Sequence, residues 1–213
     1  MNVILTAWIA PFGVGFTLSF SLILAIGAQN TFVLRQGLMR HHVGALVLFC
    51  ALSDAMLIMV GVGGMASLME KWLIMFEQWL FAGAALWLGV YGLIRGYDAW
   101  RGHSVLHAES PSQNGLMTTL AMAAVLTFGN PHVYLDTMVL IGMVSLQFAD
   151  TAKIAFAVGA VSASFVFFAS LGYGAAALSG IMQHQNAWRI LDAAVAAVMF
   201  VLAFGMARAG GWV

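Results

Sequence analysis

Six apolar stretches, each about as long as a membrane-spanning helix, constrain the fold of this chain more than any other feature. They cover residues 8–34, 43–68, 72–94, 116–146, 153–181 and 188–208. A helix of about 20 apolar residues crosses a bilayer, because the hydrocarbon layer is about 30 Å thick and each residue rises about 1.5 Å. With 62% hydrophobic and 8% charged residues, the chain is too apolar for a soluble domain. We therefore predict an all-α, polytopic membrane protein with six transmembrane helices.

The charge balance and the cysteine count exclude several classes of function. Eight Lys and Arg residues balance eight Asp and Glu residues, so we expect no binding of nucleic acid. Cys50 is the single cysteine, which excludes an intrachain disulfide and a cysteine-based metal site. Hydrolase and phosphate-binding motifs are absent, so we expect no enzymatic activity, no cofactor and no bound metal. The first stretch has no cleavage motif after it, and we expect it to stay in the membrane.

The first and fourth stretches each contain a predicted helix break. A continuous helix over residues 116–146 would be about 46 Å long, which exceeds the hydrocarbon layer by about half. Gly129 and Pro131 interrupt it, because proline removes a backbone donor and disfavours helical geometry at the preceding residue. Gly27 takes the corresponding place in the first stretch. Backbone opened in this way must be covered by protein or line an aqueous cavity, since lipid offers no hydrogen bonds.

A polar segment over residues 95–115 divides the chain into two sets of three stretches. Broken helices at the start of each half are typical of transporters built from two inverted repeats. We therefore predict a single membrane domain over residues 1–213, with one three-helix repeat over about 1–94 and a second over about 116–213. The loops after the first, third and fifth stretches hold five of the eight Lys and Arg residues. The positive-inside rule then places these loops in the cytoplasm and both termini outside.

Two aspartates lie where an apolar helix is expected to have none. Asp54 is near the middle of the second stretch, and Asp136 follows Pro131 by five residues. An ionised carboxylate at the bilayer centre costs about 2.5 to 3.5 kcal/mol on insertion scales, and no Lys or Arg occurs deep in a stretch to neutralise either one. Either both are protonated and hydrogen-bonded, or their counter-charge is a cation that binds and leaves. Asp192, in contrast, follows Arg189 by three residues, which predicts an ion pair on one helix face.

Uncharged polar side chains near the two breaks complete a candidate binding site. The amides Gln29, Asn30 and Asn130 can replace water around an ammonium or a carboxylate, and an open helix N-terminus adds partial positive charge. Tyr134 follows Asn130 by four residues and therefore shares its helix face. A zwitterion with an extra positive charge satisfies every group in this set.

A proton relay through His132, Asp54 and Asp136 is a further hypothesis. His132 precedes Asp136 by four residues, so it would either orient that carboxylate or pass it a proton. A structural hydrogen-bonding role for the histidine beside the helix break is an equally weighted alternative.

Four segments of the chain resemble signature segments of the lysine and arginine exporter family. They are residues 25–37, 51–58, 130–137 and 161–168. The segment 130–137, with the sequence NPHVYLDT, separates exporters of basic amino acids from relatives for neutral and hydroxylated ones. In the first segment Ala28 stands where the family usually has proline, which predicts a softer break held by Gly27 alone.

The resemblance implies a secondary exporter of L-arginine and L-lysine from the cytoplasm across the inner membrane of a bacterium. It carries functional roles onto Asn30, Asp54 and Asp136, and the likeness to the family's fifth span adds Ser162 and Ser164 to the expected substrate-binding residues. The expected partners are the amino acid and membrane lipid, and a homodimer is compatible with the sequence. Proton antiport is the simplest coupling.

Alternative readings remain open at this point. In one alternative, the transported substrate is a neutral amino acid or another small cation. In another, the chain is a non-transporting assembly subunit whose polar residues only join helices. An intramembrane hydrolase that pairs Asp54 with Asp136 is a third. Both five-span and six-span topologies are compatible with the resemblance.

Overall fold

The computed structural model describes residues 2–24, 27–101, 115–130, 133–183 and 185–212. In these ranges the chain forms helices and short connections without any strand, which confirms the all-α prediction. The helices are α1 (Asn2–Leu24), α2 (Ala28–Leu38), α3 (Val43–Val60), α4 (Ala66–Arg101), α5 (Leu116–Phe128), α6 (Tyr134–Ser145), α7 (Asp150–Ala177) and α8 (Gln185–Ala209). The first part of α6, Tyr134–Leu140, is π-helical.

Several of these helices are long and apolar enough to cross a membrane. Among the described residues, the segments Val43–Gly64, Asp150–Gly180 and Asn186–Arg208 meet both conditions. The bent pair Trp8–Leu24 and Ala28–Leu38 makes a fourth span if it is counted as one. The chain is therefore a multi-pass membrane protein, while the count of six spans in two inverted repeats stays a prediction.

Both predicted helix breaks are confirmed. Helices α1 and α2 meet at an angle of 80°, and Gly27 between them is extended. Helix α5 ends at Phe128; Gly129 caps it with right-handed backbone and still donates to the carbonyl of Val125, and the helix is interrupted at Asn130. Pro131, which we expected to cause this break, lies outside the described residues. The angle of 80° is not the softer break that Ala28 led us to expect.

The predicted boundary between the second and third stretches is wrong. The turn lies at Gly64, whose φ of 97° is left-handed and suits a residue without a Cβ. Helix α4 then runs unbroken through residues 68–72 and into the predicted polar segment, as far as Arg101. No glycine or proline occurs from Ala66 to Ala82, so nothing in this sequence ends the helix. Its 36 residues span about 54 Å, more than the hydrocarbon layer requires.

Helix α7 organises the packing of the bundle. Helices α1, α2 and α3 all pack on it, whereas α4 and α8 pack mainly on each other. The contact between α1 and α7 is close because glycines face the opposite backbone. A Cβ on Gly159 would overlap the carbonyl oxygen of Phe12, and one on Gly15 would overlap that of Phe156. Small residues of this kind permit the short helix separations that stabilise bundles in lipid.

The Gly159→Ala variant tests this contact. The added methyl overlaps the backbone of α1, so we expect the free energy of unfolding to fall by roughly 1 to 3 kcal/mol. Thermal unfolding of the purified protein in detergent measures the change. Gly174→Ala is the matched control in the same helix, because open space surrounds its Cβ position. Equal midpoints for the two variants would contradict the proposed close contact.

Candidate functional site

A cavity of about 400 Å³ lies at the two helix breaks. Its volume is within the range of small-molecule sites, which is roughly 300 to 1,000 Å³. The polar side chains that line it come from four separate helices and connections; they are Gln29, Asn30, Asp54, Asn130, Asp136 and Thr137. Five of the residues that we predicted from the sequence therefore meet in one cavity, although they are up to 107 residues apart in the chain.

The first break is held by a side chain that crosses it. The amide nitrogen of Asn30 donates a hydrogen bond of 2.7 Å to the carbonyl oxygen of Ile23, near the end of α1. The hydroxyl of Thr31 donates to the carbonyl of Gly27 at 2.9 Å. Gly27 itself has a φ of −110°, and open space surrounds its Cβ position. The expectation that Gly27 alone holds the break is therefore wrong. The side chains of Asn30 and Thr31 hold it, and any residue could adopt the backbone angles of Gly27.

The second break has an equivalent hydrogen bond. The hydroxyl of Tyr134, in the first turn of α6, donates to the carbonyl oxygen of Phe128 at 2.8 Å. Phe128 is the last residue of α5, so the bond connects the two half-helices across Gly129 and Asn130. We expected Tyr134 to bind substrate, but it is not among the residues that line the cavity. The structure gives it a structural contact instead.

Asp54 is the most deeply buried carboxylate of the cavity wall, with 4% of its surface exposed. The hydroxyl of Ser164 on α7 donates to its Oδ2 atom at 3.3 Å. Within the described part of the chain, no Arg or Lys side chain forms an ion pair with Asp54. The carboxylate of Asp54 thus lines the cavity with one hydroxyl donor and no basic partner among the described residues, so it can bind a cation that enters.

Asp136 reaches the same cavity from the π-helical part of α6. In a π-helix the backbone hydrogen bonds join residues five positions apart instead of four, and such stretches are often found at functional sites. Asp136 is partly exposed, unlike Asp54. His132, the remaining member of the predicted proton relay, lies outside the described residues.

The two serines of α7 differ in position. Ser164 is buried and contacts Asp54. Ser162 donates a hydrogen bond of 2.7 Å to the carbonyl of Val158 in its own helix and does not line the cavity. The structure therefore brings Ser164 to the site but not Ser162.

One wall of the cavity is entirely apolar. Helix α4 contributes Leu88, and α8 contributes Leu202 and Met206. The carboxylates and amides come from the other helices and the breaks. Among the described residues, no group of three or more metal-ligating side chains occurs. The arrangement can bind a small molecule that carries both cationic and aliphatic parts.

A second cluster of charges lies outside the cavity. Arg35 on α2 is buried, and its Nε atom lies 3.4 Å from Oδ1 of Asp192 on α8. A guanidinium nitrogen of Arg95 on α4 lies 3.9 Å from the same oxygen and 3.3 Å from Oδ2 of Asp98. We call Arg35, Asp192 and Arg95 the arginine cluster.

The arginine cluster corrects the predicted pairing of Asp192 with Arg189. The Nε atom of Arg189 donates instead to the carbonyl oxygen of Ala99 at 3.0 Å. The local spacing was misleading because α8 turns the face that carries Asp192 towards α4 and α2. An arginine inside an apolar signature segment was the one sequence signal that pointed to this cluster, since Arg35 needs a buried partner.

Comparisons with known proteins agree with the geometry. The family model described as LysE type translocator matches residues 20–210. The "Putative amino-acid transporter YggA" of Aeromonas salmonicida is 41% identical over 193 residues, which cover 91% of this chain and 93% of that protein. The "Putative amino-acid transporter Mb0498" of Mycobacterium bovis is 43% identical over 86% of this chain and 90% of that protein. The "Arginine exporter protein ArgO" of Salmonella newport is 38% identical over 92% of each chain. No solved structure gives a significant match.

The hydrogen bond across the second break can be tested with Tyr134→Phe. Loss of the hydroxyl leaves the carbonyl of Phe128 without this donor, and we expect the free energy of unfolding to fall by about 1 kcal/mol. Tyr173→Phe is the matched control, because Tyr173 is exposed on α7. Thermal unfolding in detergent gives both values. An unchanged midpoint for Tyr134→Phe would show that the bond does not support the break.

Proposed function

The chain belongs to the LysE type translocator family, and on that premise we propose that it is a secondary exporter of L-arginine and L-lysine from the cytoplasm across the inner membrane. The observation that carries this proposal is the presence of Asp54 and Asp136 in the wall of one cavity. Two carboxylates in an intramembrane cavity match a substrate with two cationic groups.

The charges of the cavity fit a basic amino acid better than a neutral one. Arginine and lysine carry an α-ammonium group, a cationic side-chain end and one carboxylate. Asp54 and Asp136 would take the two cations. Gln29, Asn130 and the N-terminus of α2 would take the carboxylate, because Gly27 and Ala28 at that terminus line the cavity.

The apolar wall fits the rest of the substrate. Both basic amino acids have an aliphatic chain between their two cationic groups, and such chains pack on apolar surface while the charged end reaches a polar partner. Leu88, Leu202 and Met206 supply that surface. A short hydroxylated amino acid would leave this wall uncovered.

Transport would follow alternating access, in which one repeat rocks against the other around the site. Moving a net positive charge outward against an inside-negative potential costs about 2.3 kcal/mol per 100 mV, so uphill export needs coupling. Proton antiport supplies it if an aspartate of the site binds either a proton or the substrate cation but not both. Protonation on one side of the membrane then releases the amino acid there.

Asp54→Asn and Asp136→Asn test the site directly. Each removes one negative charge with little change in shape, so we expect uphill flux of radiolabelled L-arginine in proteoliposomes to fall at least about tenfold, equivalent to about 1.4 kcal/mol. Asp150→Asn is the matched control, because Asp150 starts α7 away from the cavity, and asparagine accepts its φ of 45°. Normal uphill transport in the double variant would remove the proposed site.

Substrate choice can be tested in a bacterial host that lacks its own exporter. Because two carboxylates favour a substrate with two cationic groups, we expect expression of the chain to give resistance to canavanine, an arginine analogue, and none to excess threonine. Growth at graded concentrations of canavanine or threonine measures the resistance. The Asp54→Asn variant is the control, because it shows the effect of expressing the protein without its transport activity. Resistance to threonine without resistance to canavanine would favour a neutral amino acid as cargo.

A further inference from the structure

Three helices lead from the cavity to the arginine cluster, and each passes through the same sequence of environments. On α2 the order is Ala28 at the cavity, then buried Phe32, then Arg35 in the cluster. Arg35 lies seven positions after Ala28, which is about 10 Å along the helix. The other two helices show the same order.

On α4 the order is Leu88 at the cavity, then buried Tyr91, then Arg95. On α8 it runs from Leu202 at the cavity through buried Met199 to Asp192. Helices α2, α4 and α8 thus place two layers on one side of the cavity. The first is an apolar layer of Phe32, Tyr91 and Met199, and the second is the arginine cluster.

The apolar layer is closed in this structure. Phe32, Tyr91 and Met199 are 5%, 4% and 0% exposed and belong to one packed cluster. The arginine cluster lies beyond it, and Arg35 also lies 6.0 Å from the ring centre of Trp188. A small molecule in the cavity therefore has no way out between α2, α4 and α8 unless both layers separate.

The ion pairs of the cluster connect two packing units. Helix α2 packs on α7, whereas α4 and α8 pack mainly on each other. The pairs of Asp192 with Arg35 and Arg95 measure 3.4 and 3.9 Å, and the Nε atoms of both arginines lack a hydrogen-bond acceptor among the described residues. A buried pair with incomplete hydrogen bonding adds little net stability, because desolvation of the charges offsets their attraction. Its geometry suits a contact that opens and closes.

We propose that Arg35, Asp192 and Arg95 are positioning residues that close a gate on this side of the cavity by holding α2 against the α4 and α8 pair. The proposal rests on the proposed transport function. Opening the gate moves α2, which also carries Gln29 and Asn30, so gate and binding site would change together. Arg189 bonds to the end of α4 at the same end of the protein, and this is the side that the positive-inside rule assigns to the cytoplasm.

Labelling of a cysteine in the cavity tests the gate without measuring transport. In the full chain with Cys50→Ala, the reporter is Val133→Cys, because Val133 lines the cavity. Right-side-out and inside-out vesicles are treated separately with a membrane-impermeant maleimide, so that each side of the protein is labelled by itself. We expect Arg35→Gln or Asp192→Asn to raise the labelling rate about tenfold from the side of the arginine cluster only, equivalent to a shift of about 1.4 kcal/mol.

Matched controls separate the gate from a general loss of charge. Arg101→Gln removes an arginine from the last turn of α4 outside the cluster, and Asp150→Asn removes a carboxylate elsewhere. Both should label at the original rate. An exposed Arg40→Cys reporter checks that the reagent reaches that side equally in every variant.

The double variant Arg35→Gln with Asp192→Asn decides the case if a single change prevents folding, since removal of both partners leaves less uncompensated charge. Fast labelling of the folded double variant supports the gate. Labelling at the original rate overturns it, and failure of the double variant to fold also overturns it, because the cluster would then be needed for the fold itself. Labelling does not depend on which substrate is transported. The gate can therefore be judged from the labelling rates even if the Asp54→Asn and Asp136→Asn flux assay contradicts the proposed transport function.

Discussion

Backbone carbonyls that lose their helical partners inside a membrane must be paired by another group of the protein, because lipid cannot donate a hydrogen bond. Both breaks in this chain meet that constraint with one side chain from beyond the gap. Asn30 reaches back to Ile23, and Tyr134 reaches back to Phe128. The chain can therefore open at two places within an apolar bundle, and the polar residues beside the openings can face a common cavity instead of lipid.

The sequence predicted the breaks and the residues around the cavity for physical reasons that act locally. Glycine, proline and amides inside an apolar run are costly in lipid, and Asp54 and Asp136 are costlier still, so each marks a position that protein must cover. How the breaks are held was not predictable in the same way. The bonds of Asn30 and Tyr134 span seven and six residues across a bend, and no helical periodicity indicates such partners.

Two further differences have a common cause. Hydropathy suggested a boundary at residues 68–72, but helix α4 continues there, because a polar surface does not end a helix without a residue that disrupts its hydrogen bonds. Spacing suggested that Asp192 pairs with Arg189, whereas its recorded partners Arg35 and Arg95 are 157 and 97 residues away. Local patterns describe one helix at a time, and both outcomes depend on how separate helices meet.

The cavity wall divides its chemistry between helices: acids and amides on one side, and only Leu88, Leu202 and Met206 from α4 and α8 on the other. Discrimination by charge and discrimination by side-chain length would then be encoded in different parts of the gene. Mutations that enlarge or shorten the aliphatic surface could broaden the range of exported compounds, for example towards shorter diamino acids, while the requirement for a cation stayed intact. Such separability offers evolution, or an engineer, a route to new cargo through three positions.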